Sequence, residues 1–211
     1  MAIEPPSQSL LNTLRSLKLA NEAQLRACQK HLKNLVRDLP AFDSVWIDAL
    51  VQSEVLTPFQ GKMLTQSPES LQLGSYVLVD RLPHDGWPVR YQAVPLKGGQ
   101  TVAMAVLPVD RAELPAVRDR FARHVTSVQG LHHRNLCLTT SYEESEETLH
   151  AISPLPSGEP LDELFVRRGR FPAEVVGEIA RQALDGLARL ELAGTLHGDL
   201  RMRNLLLTSQ G

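Results

Sequence analysis

The spacing of apolar residues changes near Ser67-Pro68-Glu69-Ser70, and that change limits the fold more than any other feature. Before it, residues 7 to about 66 carry apolar side chains at helical intervals: Leu10, Leu11, Leu14 and Leu17, then Leu25, Cys28, Leu32 and Leu35. Side chains three and four apart share one helix face. Asn21 reads as the N-cap of the second helix, and Pro40 ends it because proline lacks the N–H. Asp43 reads as the cap of a third helix with Val45, Trp46, Ala49 and Leu50 on one side. Pro58, in Leu56-Thr-Pro-Phe-Gln60, opens a fourth at the first helical position.

After the change the apolar runs are short and strand-like: Tyr76–Val79, Arg90–Val94, Thr101–Leu107, Leu136–Thr140 and Thr148–Ile152. A helix over 115–129, ended by Gly130, interrupts them. A short helix from Pro160 to Arg167 and a long one from Pro172 to about Leu192, ended by Gly194, follow. The pattern is α+β: a small all-α leader over 1–68, five short strands with one helix over 73–153, and a helical region over 154–211.

Composition excludes several classes. A net charge of −2 does not fit a nucleic-acid binder, and Arg167-Arg168-Gly169-Arg170 reads as a solvated helix end. No apolar run approaches the ~18–20 residues of a membrane span, and the N-terminus lacks a signal-peptide pattern. Cys28 and Cys137 have no metal-type spacing, and His132-His133 lacks further ligands for zinc. The chain reads as cytoplasmic, with a protein partner and no nucleic acid.

The segment His197-Gly-Asp-Leu-Arg-Met-Arg-Asn204, followed by Leu205-Leu-Leu207, carries the chemistry. It resembles the catalytic loop H-R-D-L-x-x-x-N of protein kinases. Leu131-His-His-Arg-Asn-Leu136 likewise resembles the L-x-H-x-N-I/L link after kinase helix C. The ordered set over residues 73 to 211 resembles the kinase-like fold, which implies a five-stranded antiparallel N-lobe over 73–153 and the start of a helical C-lobe over 154–211. Leu56–Gln60 with Leu73–Val77 is similar to the lead-in before bacterial eukaryotic-like Ser/Thr kinase domains. The resemblance implies ATP and Mg²⁺ as cofactors. It makes Asp199 the residue that meets the acceptor hydroxyl, Arg201 the cation near the γ-phosphate, and Asn204 a Mg²⁺ ligand. Gly198 stands where the family carries Arg, which removes the partner of a phosphorylated activation loop. Ser153–Gly158 falls at the hinge, where Pro154 and Pro156 cannot donate to a base.

Other positions depart from the family. On its Gly-rich loop, Pro83, Asp85 and Pro88 stand in the three glycine places, and Gly86 survives where none is required. The strand-three motif V-A-I-K reads Val102-Ala-Met-Ala105, so the phosphate-gripping Lys is Ala105. The helix C Glu aligns with His124. Losing both members of an ion pair strands no charge, whereas losing one does. The D-F-G motif and activation loop would follow Asn204, and the 211 residues end before them, so the stretch reads as kinase-like and truncated before D-F-G.

Three functions fit these residues. The first is a pseudokinase with a scaffold or regulatory role and weak or absent ATP binding. The second is the N-terminal part of a diverged active Ser/Thr kinase that transfers the ATP γ-phosphate to protein hydroxyls. The third is a helical interaction module built on residues 1–66.

Overall fold

The structure, a computed structural model, describes residues 5–35, 42–82, 88–108, 114–145 and 148–209. Two compact units, Met1–Val102 and Ala103–Gly211, divide the chain.

The first unit starts with four helices: α1 (Gln8–Ser16), α2 (Glu22–Leu35), α3 (Asp43–Gln52) and α4 (Pro58–Gln66). Their inward faces bury Leu14, Cys28, Leu32, Trp46 and Leu50 almost completely. Side chains satisfy the helix starts. The Ser7 hydroxyl accepts from the Leu10 amide at 3.1 Å, and Asn21 and Gln24 bond each other's backbone amides at 2.9 and 2.8 Å. α4 has a full capping box, with Thr57 and Gln60 exchanging bonds and Pro58 in the first turn. Asp43 differs from the expected cap. Phe42 holds the cap position of α3 without a side-chain bond. The Asp43 carboxylate instead accepts from the Ser7 amide and hydroxyl at 2.7 and 2.5 Å, joining the starts of α1 and α3. Pro40 lies outside the described residues.

Three antiparallel strands complete this unit: β1 (Gln72–Leu73), β2 (Tyr76–Arg81) and β3 (Val89–Pro95). β1 was not among the expected strands; it is a two-residue pairing with Val77 and Tyr76.

The second unit contains β4 (Val102–Pro108), α5 (Leu114–Val128), β5 (Ser141–Glu144) and β6 (Thr148–Pro154), with strand order β4-β6-β5. Leu107, Leu149 and Ala151 form its buried apolar cluster, with Ala105, Phe121 and Tyr142 packed against it. Residues 136–140 are not a strand, contrary to the reading of the sequence. The hairpin pairs Ser141 with Ile152 at its open end, and beyond that Pro154 and Pro156 have no N–H to continue the ladder. β7 (Glu159–Pro160), α6 (Leu161–Arg168), α7 (Ala173–Leu192) and β8 (Leu206–Leu207) follow, with β7 antiparallel to β8. The expected α+β class and antiparallel small-lobe strands are therefore present.

Candidate functional site

A 3-10 turn over Met202–Asn204, between α7 and β8, shapes the polar loop. Its ends are fixed by backbone bonds: the Asn204 amide donates to the Arg201 carbonyl at 2.9 Å, and the Leu161 amide of α6 to the Leu205 carbonyl at 2.9 Å. Gly198 has φ of +78°, a left-handed conformation that an Arg adopts only with strain. This gives a backbone reason for the residue at that place.

Asp199, Arg201 and Asn204 come together. Asn204 Nδ2 donates to the Asp199 carbonyl at 2.9 Å and to its carboxylate at 2.8 Å. Arg201 Nε lies 2.5 Å from the other carboxylate oxygen. Desolvation pushes the Asp199 carboxyl up, but the Asn204 bond, the Arg201 charge and the Arg201 bond together hold it below the ordinary value. The loop therefore presents an ionised carboxylate whose oxygens are oriented by two neighbours. Beside it, Arg203 Nε lies 3.8 Å from Asp162 of α6.

Asn204 Oδ1 is buried and has no hydrogen-bond partner. Magnesium takes hard oxygen ligands, so this orphaned amide oxygen fits the role the resemblance gives Asn204. When bound, the ion would supply charge neutralisation for phosphate oxygens. Among the described residues no group of three or more His, Cys, Asp or Glu could hold a metal on its own.

The nucleotide-grip positions have a different character. Ala105 packs against the apolar cluster of Leu107, Leu149 and Ala151, as do Phe121 of α5 and Tyr142 of β5. It brings no charge and no donor to that face. His124 is on the same helix as Phe121, and its Nδ1 lies 3.4 Å from the Thr195 hydroxyl, just ahead of the polar loop. Ala105 and His124 therefore form no polar pair. Pro83, Asp85 and Gly86 lie outside the described residues, and Pro88 directly precedes β3.

Two contacts absent from the sequence reading tie the loop after α5 to α7. Asn135 Nδ2 donates to Gln182 Oε1 at 2.7 Å, and His133 Nε2 lies 3.4 Å from Asp185. Gly186 lets α7 approach closely, since a Cβ there would meet Leu136 at 3.1 Å. A long-range pairing of this kind has no local sequence signal. A cavity of about 650 Å³ lies nearby, lined by Leu136, Val175, Ile179, Gln182, Asn204 and Leu207 among others. Asn204 of the polar loop lines it, whereas Asp199, Arg201, Ala105 and His124 do not.

The family model described as "Protein kinase domain" matches residues 88–211, more than half of the chain. This chain belongs to the protein kinase domain family. The kinase-like region has relatives in fungi and bacteria. It is 30% identical over 148 residues to the cytokinesis protein sepH of Emericella nidulans, covering 70% of this chain and 11% of that protein. The Aspergillus terreus cytokinesis protein sepH is 29% identical over 151 residues, covering 71% of this chain and 11% of that protein. The serine/threonine-protein kinase PknL of Mycobacterium bovis is 28% identical over 151 residues, covering 70% and 37% respectively. The chain thus spans about a tenth of the fungal relatives and just over a third of the mycobacterial one. No helix among the described residues is long and apolar enough to cross a membrane.

Proposed function

We propose that this kinase-like chain is a pseudokinase, a cytoplasmic scaffold or regulatory module that has lost its grip on nucleotide phosphates. The observation that carries this reading is the packing of Ala105 against Leu107, Leu149 and Ala151. The family places a lysine ammonium there to hold the α- and β-phosphates. A hydrogen bond to a charged group contributes ~1.5–3 kcal/mol, and a methyl group contributes none of it. His124 does not restore the site, because its ring meets Thr195. The partner is a protein, consistent with the relatives named for cytokinesis. Thermal melting with excess ATP and Mg²⁺ tests the reading: an unchanged midpoint is expected, and a concentration-dependent rise contradicts it.

One observation favours a second reading, an active Ser/Thr kinase. Asp199 is ionised and oriented by Asn204 and Arg201, as an acceptor-activating carboxylate must be. Phosphate transfer to a protein hydroxyl, abolished by Asp199→Asn, is required by that reading.

A further inference from the structure

The segment Leu56-Thr-Pro-Phe-Gln60 takes no part in the site above, yet three of its side chains converge on the β2–β3 hairpin. β2 carries a bulge: Leu78 faces Ala93 and Asp80 faces Gln92, so Val79 has no residue opposite it. A bulge leaves ladder groups unpaired and the strand bent. Here the leader helix supplies the missing partner. Thr57 Oγ1 donates to the Val79 carbonyl at 2.5 Å, and Gln60 Nε2 donates to the Leu78 carbonyl at 2.9 Å. Gln60 is only 6% exposed, so this bond forms away from water. The Phe59 ring meets the Tyr91 ring of β3 at 5.8 Å between centroids, tilted by 47°. Tyr91 pairs with Arg81 across the hairpin, just past the bulge. A further tie lies at the other end of β3, where Lys18 Nζ donates to the Leu96 carbonyl at 2.8 Å.

We infer that the first turn of α4 is a built-in brace that sets the bulge and register of the β2–β3 hairpin, so leader and hairpin are conformationally coupled. The same two residues that cap α4 also complete the strand. Thr57 accepts from the Gln60 amide while donating to Val79, and Gln60 accepts from the Thr57 amide through Oε1 while donating to Leu78 through Nε2. Anything that displaces this turn frees two carbonyls at the bulge and loosens the hairpin. The inference holds whether or not the chain binds a nucleotide. It makes residues 1–66 part of the first unit's framework, not a detachable interaction module.

Hydrogen exchange on the whole 211-residue chain tests this. Gln60→Glu keeps the oxygen that accepts from Thr57 but removes the amide donor to Leu78, so it separates bracing from capping. Exchange in segments 78–82 and 90–93 should quicken about ten-fold or more, with 62–66 of α4 changed by less than about two-fold. Phe59→Leu should quicken 90–93 about three-fold, and it decides alone where Gln60→Glu does not fold. Strand exchange within about two-fold of the parent in both variants overturns the inference. So does an equal quickening in the strands, α4 and α1, which would be plain global destabilisation.

Discussion

Asn204 donates through one nitrogen to both the carbonyl and the carboxylate of Asp199, at 2.9 and 2.8 Å. Two residues five apart in sequence thereby close the polar loop on itself and leave Asn204 Oδ1 buried without a partner. Asn204→Ala removes both bonds. It should lower unfolding free energy by about 1–3 kcal/mol, read from urea denaturation, with the loss centred on 199–207 in hydrogen exchange.

Gly158, just ahead of β7, lies close against the backbone of β8. A Cβ there would lie 2.7 Å from the Leu207 carbonyl oxygen, and its φ is +126°. Gly158→Ala must move backbone as well as side chain, and should cost about 2–3 kcal/mol. Gly177→Ala, with open space around it in α7, should be neutral or stabilising by about 0.5–1 kcal/mol. Melts of the two variants make the comparison.

His150 gives the chain a pH dependence. It is 1% exposed, its Nε2 lies 2.8 Å from the Thr148 hydroxyl, and its Nδ1 has no partner. Burial pushes its pKa below the ordinary 6.5, with Glu143 across the strand pair pulling the other way. Because the folded value is the lower one, this contribution to stability is complete above 6.5. It is lost as pH falls from there through the folded value. Between about pH 7.5 and pH 5 the parent's melting temperature should fall more steeply than that of His150→Gln, which cannot charge.

α7 and the segment after it leave large apolar side chains open. Leu184 is 65% exposed, and Leu192 and Leu196 are each 80% exposed. A hydrophobic dye should bind the 211-residue chain, and Leu184→Lys with Leu192→Lys should reduce that binding. At such exposed positions stability should change by less than about 0.5 kcal/mol. A dye signal unchanged by both substitutions would place the sticky surface elsewhere.

Much of the fold was legible in the sequence because its signals are local. Apolar residues at helical spacing marked α1 to α3 and Pro58 marked the start of α4, the Asn21 cap and Pro58 in the first turn of α4 both stand as read, and the long apolar stripe marked α7. The errors lie where distant residues decide. Asp43 has the chemistry of a cap, but Ser7, thirty-six positions away, takes its carboxylate. Leu136–Thr140 has strand composition, but its ladder would run into Pro154 and Pro156. The spacing of Asp199 and Asn204 was visible, yet the free Oδ1 and the seating of Ala105 on Leu107, Leu149 and Ala151 depend on packing between elements. The brace of Thr57 and Gln60 was invisible for the same reason: the sequence marks a helix start but not the bulge it completes.

The most direct test is a calorimetric titration of ATP with Mg²⁺ into the chain, run beside Ala105→Lys. The expected result is no saturable heat for the parent. It is also none for Ala105→Lys, whose longer side chain would crowd the apolar cluster of Leu107, Leu149 and Ala151 and lower stability by about 1–3 kcal/mol. Saturable one-to-one binding by the parent, lost in Asn204→Ala, would contradict a pseudokinase and leave an active kinase as the better reading.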